Sequence, residues 1–117
     1  MMKTARYAIS LLLALTAVPV LADTRDEIRH LLQYVEINGC EFERNGTVYD
    51  SGEARAHMER KYNYVKSRVD VAEDFIRYAA TESSMSGKKY HVTCNGIKRA
   101  SADWLQEELS RYRETNL

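Results

Sequence analysis

Apolar side chains recur at helical spacing in four stretches of the chain, and they alternate with polar ones in three short runs between them. Ile28, Leu31, Leu32 and Val35 fall at i, i+3, i+4 and i+7, behind a capping-box pattern at Thr24 and Glu27 and ahead of Gly39. Asp50 and Glu53 open a second helix whose stripe is Ala54, Met58, Tyr62, Val65 and Val69. Asp70 and Glu73 restart helix for Ala72, Phe75, Ile76, Ala79 and Ala80. A last helix begins at Ser101 and lines up Leu105, Leu109 and Tyr112, with Trp104 beside them. The alternating runs are Cys40 to Arg44 and Thr47 to Tyr49, separated by the hairpin signal Asn45-Gly46, and Lys89 to Cys94. The pattern predicts an α+β fold, about four helices on a small three-stranded antiparallel sheet made of the hairpin plus one strand. Thr81 to Gly87 is polar and Ser-rich and reads as the most mobile segment.

The start of the chain follows a different rule. Lys3 and Arg6 precede an apolar run from Ala8 to Val18, then Pro19, with short side chains at Val20 and Ala22. That order matches a secretory signal peptide cleaved before Asp23, and the run is shorter than the roughly 20 apolar residues a membrane anchor needs. The expectation is a signal peptide over residues 1–22, then one domain over residues 23–117, exported to the periplasm with no stable membrane anchor after cleavage. The 17 basic and 17 acidic residues of the whole chain then become a formal charge of −2 on the domain, which argues against nucleic acid as a partner.

Cys40 and Cys94 are the two cysteines of the chain. An oxidising compartment favours a single disulfide between them, pinning the third strand to the hairpin. Neither a C-x-x-C redox pair nor a clustered His/Cys metal set is present, so no metal and no cofactor is expected.

Candidate chemistry gathers on the second helix. His57 lies one turn after Glu53 and one turn before Lys61, which puts a carboxylate, an imidazole and an ammonium along one edge. The edge could move protons or hold an anion; equally, His57 could bond the Ser-rich loop while Glu53 caps its helix. Ser83, Ser84 and Ser86 lack the surroundings of a nucleophile, and the amides near Ser86-Gly87-Lys88-Lys89 could bind an anion. Lys98, Arg99, Arg111 and Arg113 are offset by Glu107, Glu108 and Glu114 and read as a solvated helix face. Tyr64 and Tyr78 lie off their helices' stripes and suit a partner surface.

Several of these positions form an ordered set: Phe42-x-Arg44-Asn45-Gly46, Glu53-Ala54-x-x-His57 with Lys61, Arg68-Val69-Asp70-x-Ala72-Glu73-x-Phe75-Ile76, and Ser83-Ser84-x-Ser86-Gly87-Lys88-x-Tyr90-x-Val92. From about Phe42 to Gly96 the chain resembles the YfeK-like family of small exported bacterial proteins, with a looser match through Trp104 and Leu105. The family is one of unknown function, so the resemblance implies export and a shared fold and carries no mechanism. It adds a shortlist of matching positions, Arg44, Asn45, Glu53, His57, Lys61, Asp70, Glu73, Ser84, Gly87 and Tyr90, of which Asn45 and Gly87 read as turns and Asp70 and Glu73 as a capping box, and Arg44, Glu53, His57, Lys61, Ser84 and Tyr90 are the expected binding residues.

With no catalytic motif, the sequence points to a noncatalytic binding or interaction module, of inhibitor or immunity type, meeting a protein of the cell envelope or a small anionic ligand. Two alternatives stand beside it: a small hydrolase using His57 with Glu53, and a structural role in envelope maintenance.

Overall fold

The computed structural model describes residues 23–117, and the expected signal segment lies outside the described residues. Helix α1 (Thr24–Ile37) leads into the hairpin of β1 (Glu41–Arg44) and β2 (Thr47–Tyr49). Helix α2 (Ser51–Val65) runs into a 3₁₀ turn, Lys66–Arg68, and α3 (Ala72–Ala79) follows. Strands β3 (His91–Cys94) and β4 (Ile97–Ala100) then lead directly into α4 (Ser101–Thr115). The predicted stripes are the buried ones: Leu31, Val35, Phe75, Leu105 and Leu109 are fully covered, and Phe42 and Val92 face them from the sheet. Burying each large side chain of this kind contributes about 1.5–3 kcal/mol relative to leaving it in water.

The sheet has four antiparallel strands in the order β2-β1-β3-β4, not the three expected. The additional strand pairs Val92 with Arg99 and Cys94 with Ile97. It returns through Asn95-Gly96, a second copy of the turn at Asn45-Gly46. Both turns hold Asn and Gly at positive φ, 53° and 80° in the first, 53° and 78° in the second. That is the backbone a two-residue turn needs to follow the twist of its strands. Lys98 and Arg99 therefore belong to an edge strand rather than to a helix face. Lys98 meets Glu43 across the sheet at 2.7 Å, and Arg99 reaches Glu107 at 3.0 Å.

Two helix starts also differ from expectation. Asp23, not Thr24, caps α1 by accepting from the Asp26 amide at 2.8 Å. Asp74 takes the amides of Asp70 and Val71 at the start of α3, the work expected of Asp70 and Glu73. This leaves Glu27 and Glu73 free to grip Arg113 of α4 from two sides, at 2.8 and 2.6 Å, so one guanidinium ties α1, α3 and α4 together. Arg113 and Glu108 are thus not a solvated face: Glu108 is buried and bonds His30 at 2.5 Å as well as Arg111. The box at Asp50 and Glu53 forms as expected. The second helix stops at Val65, and the 3₁₀ turn carries the chain on to Val69.

Cys40 and Cys94 are joined, with Cα atoms 4.9 Å apart. The bond closes a long loop between the first hairpin and the second, which restricts the unfolded chain by about 4 kcal/mol on the chain-entropy account.

Candidate functional site

Tyr90 is the centre of the polar cluster. Its backbone is held on both sides, its amide donating to the Thr81 carbonyl at 2.9 Å and its carbonyl accepting from the Ser101 amide at 3.0 Å. The ring is buried, and its hydroxyl sits 3.1 Å from both His57 Nε2 and Lys61 Nζ. His57 and Lys61 reach it together because four residues of helix are a little more than one turn. Lys61 also donates to the Glu82 carbonyl at 2.9 Å. A lysine only donates, so the Tyr90 oxygen accepts from Lys61, and its own proton is directed at Nε2 of a neutral imidazole.

Burial and the charges around this cluster together explain why the imidazole is neutral. Burial, then Arg44, Lys61 and Arg60, push the His57 pKa down to about 4. Burial, then Arg44, also lowers the Lys61 ammonium, with Glu82 opposing. Burial raises the Tyr90 phenol and keeps it protonated. Both basic groups are therefore held below their ordinary values in part by other cations, the signature of a local excess of positive charge.

A groove of about 900 Å³ opens beside the cluster. From α2 it takes His57, Arg60, Lys61, Tyr64 and Val65, and from the 3₁₀ turn Arg68. Arg77 and Tyr78 come from α3, and Thr81 to Ser84 with Gly87 from the loop that follows. The Arg68 and Arg77 guanidinium carbons each lie 4.9 Å from the centre of the Tyr78 ring, which holds both charges in place. Arg77 is paired with Asp74 at 3.0 Å. Arg60, Lys61 and Arg68 have no carboxylate within 4.0 Å among the described residues.

The shortlist divides in space. His57, Lys61 and Tyr90 converge, and Ser84 lies exposed on the groove's rim. Arg44 stands on the far side of His57, stacked over Tyr49 at 4.7 Å and donating to its hydroxyl at 2.9 Å. It acts on the cluster through its charge. Glu53 does not join them: its carboxylate accepts from the Asp50 amide at 3.1 Å, closing the start of α2. The Ser-rich loop is tied down rather than free. The Ser83 hydroxyl accepts from Asn45 Nδ2 and from the Met85 and Ser86 amides, and Ser86 donates back to Asn45 Oδ1 at 2.5 Å. The turn of the first hairpin thereby fixes one wall of the groove. Arg60, Arg68 and Arg77 are the groove residues the sequence reading passed over. The signal for Arg60 was available, because none of its helical neighbours at three or four residues is acidic.

No group of three or more His, Cys, Asp or Glu side chains that could hold a metal occurs among the described residues. No helix among them is long and apolar enough to cross a membrane.

Comparison with known proteins agrees with the likeness read from the motifs. The uncharacterized protein YfeK of Salmonella typhimurium is 41% identical over 49 residues, a match that covers 42% of this chain and 41% of that protein. The aligned stretch is thus under half the length of either chain. No solved structure matches. Residues 22–113 match the family of unknown function DUF5329, and the chain belongs to that family.

Proposed function

We propose that the chain is an exported, noncatalytic binding module that takes an anionic ligand in the groove between α2, α3 and the Ser83 loop. The observation that carries this reading is that Arg60, Lys61 and Arg68 face the groove without carboxylate partners among the described residues; beside them burial, and then the charges of Arg44, Lys61 and Arg60, hold down the pKa of His57. Like charges gathered along one concave wall raise the local concentration of anions and offer them charge-assisted hydrogen bonds. Pinning of Lys61 by Tyr90 and Glu82, and of Arg68 and Arg77 by Tyr78, lowers the entropy a ligand must remove on binding.

Titrating the disulfide-bonded protein with pyrophosphate, polyglutamate and oligogalacturonate, three anions of unlike backbone, tests the reading. At least one should bind with an affinity that falls as salt rises, and the double variant Arg60→Gln, Arg68→Gln should weaken it by about tenfold or more. Failure of all three to bind, or binding indifferent to both arginines, would refute it. A hydrolase built on His57 and Glu53 has less support, since the Glu53 carboxylate is engaged at the start of its helix.

Export rests on the N-terminal pattern and on a disulfide of the kind that persists in oxidising compartments. Mass spectrometry of protein released from the periplasm should find a chain beginning at Asp23. Full-length protein confined to the cytosol would count against export.

A further inference from the structure

We infer that the occupant of the groove is a linear acidic glycan, a chain of sugar rings bearing carboxylates, and that Tyr64 is the platform on which a ring stacks. The inference rests on the anion-binding reading above and names its ligand class. Three features favour this class over a compact anion or an acidic peptide. The first is size: a groove of about 900 Å³ is far larger than a compact ion needs and falls in the range of sites for extended organic ligands.

The second is arrangement. Arg60, Tyr64 and Arg68 follow one another at four-residue steps along α2 and its 3₁₀ extension, so the backbone positions of the two arginines lie about 12–14 Å apart along the axis with that of Tyr64 between them, and all three side chains line the groove. A row of that length, charge then ring then charge, fits a polymer whose anionic groups repeat along an extended backbone. Lys61 adds charge to the side of the row, while Arg77 is paired with Asp74 and Glu82 sets one carboxylate on the same wall.

The third is the nature of the wall. Between its cations it presents the side chains of Tyr64, Val65 and Tyr78. Tyr64 is 92% exposed, and its ring makes no aromatic or cation contact among the described residues, unlike Tyr78 and Tyr90. A free aromatic face beside fixed cations suits a ligand that has both an apolar ring face and a charge. Pyranose rings present C–H faces of this kind. An acidic peptide matches the charge but lacks the ring.

The same three probes, with neutral dextran and a single-stranded oligonucleotide added, decide the matter in isothermal titration. Oligogalacturonate should bind at least about tenfold more tightly than polyglutamate, dextran or the oligonucleotide. Tyr64→Ala should weaken oligogalacturonate by about tenfold, Tyr64→Phe should restore it, and neither should alter pyrophosphate binding. Tyr64 is exposed, so both variants should fold as the parent does. Equal or tighter binding of polyglutamate or the oligonucleotide, or an unaltered affinity in Tyr64→Ala, overturns the glycan assignment. If pyrophosphate or polyglutamate binds and oligogalacturonate does not, the assignment falls while the anion reading stands. If no anion binds, both fall.

Discussion

Lowering the pH from 7 to 4.5 should destabilise the protein mainly through His57, since the carboxylates begin to contribute only as the pH nears 4.5. The unfolded imidazole titrates near 6.5, whereas the folded one is held down to about 4. Between those values the unfolded state binds a proton that the folded state refuses, so stability is fully present above pH 6.5 and is lost as pH falls toward 4. A gap of that size corresponds to about 3 kcal/mol for a fully shielded group, and solvent screening of this half-buried ring reduces it to about 1–2 kcal/mol. The carboxylates held low by their partners, Glu43, Glu73, Asp74 and Glu107, act in a lower window. Their contribution is present above their unfolded values of 4.5 or 3.8 and fades only below them. Urea denaturation at pH 7, 6, 5 and 4.5 separates the two. The parent should lose about 1–2 kcal/mol across the series, and His57→Gln, which keeps a polar group beside Tyr90, should lose much less. Equal losses in the two proteins, or a His57 that titrates at 6.5 or above by NMR, would show that the surrounding cations do not act on it as argued.

Three further outcomes follow from the same structure. Replacing Cys40 and Cys94 together by Ser should cost about 4 kcal/mol in urea denaturation, most of the stability of a domain near the low end of the usual 5–15 kcal/mol range. Arg113→Ala leaves the buried Glu27 without its partner and unties three helices. It should cost about 2 kcal/mol, less than a fully buried pair because Arg113 is part exposed. Asn45→Gly removes the clamp on Ser83 and Ser86 while keeping the positive φ of the turn, and hydrogen exchange should show the Gly87 amide losing about tenfold in protection while that of Phe75 is unchanged.

The helices were legible in the sequence because each has one unbroken stripe, and Phe75, Leu105 and Leu109 lie where the spacing puts them. Strand β4 was not. Ile97-Lys98-Arg99-Ala100 holds a single β-branched residue and two charges, as an edge strand tolerates, and its basic pair blended with the charges of α4. The turn beside it, Asn95-Gly96, carried the same signal as Asn45-Gly46 and was the clue to a second hairpin. In the site, helical spacing brought His57 and Lys61 to one edge, but the same spacing does not decide whether Glu53 turns toward His57 or back to its own cap. The cap won, because the Asp50 amide has no other partner at the helix start. The groove itself depends on how α3 and the Ser83 loop lie beside α2, and no local pattern encodes that.

That the cations around His57 await a negative charge from outside the protein is the central claim. The pKa of His57, followed by NMR with and without a saturating amount of the tightest-binding anion among pyrophosphate, polyglutamate and oligogalacturonate, tests it most directly. An anion seated in the groove should raise that pKa from about 4 by neutralising its cationic neighbours. A bound anion that leaves the His57 titration where it was would place the ligand elsewhere and contradict the account.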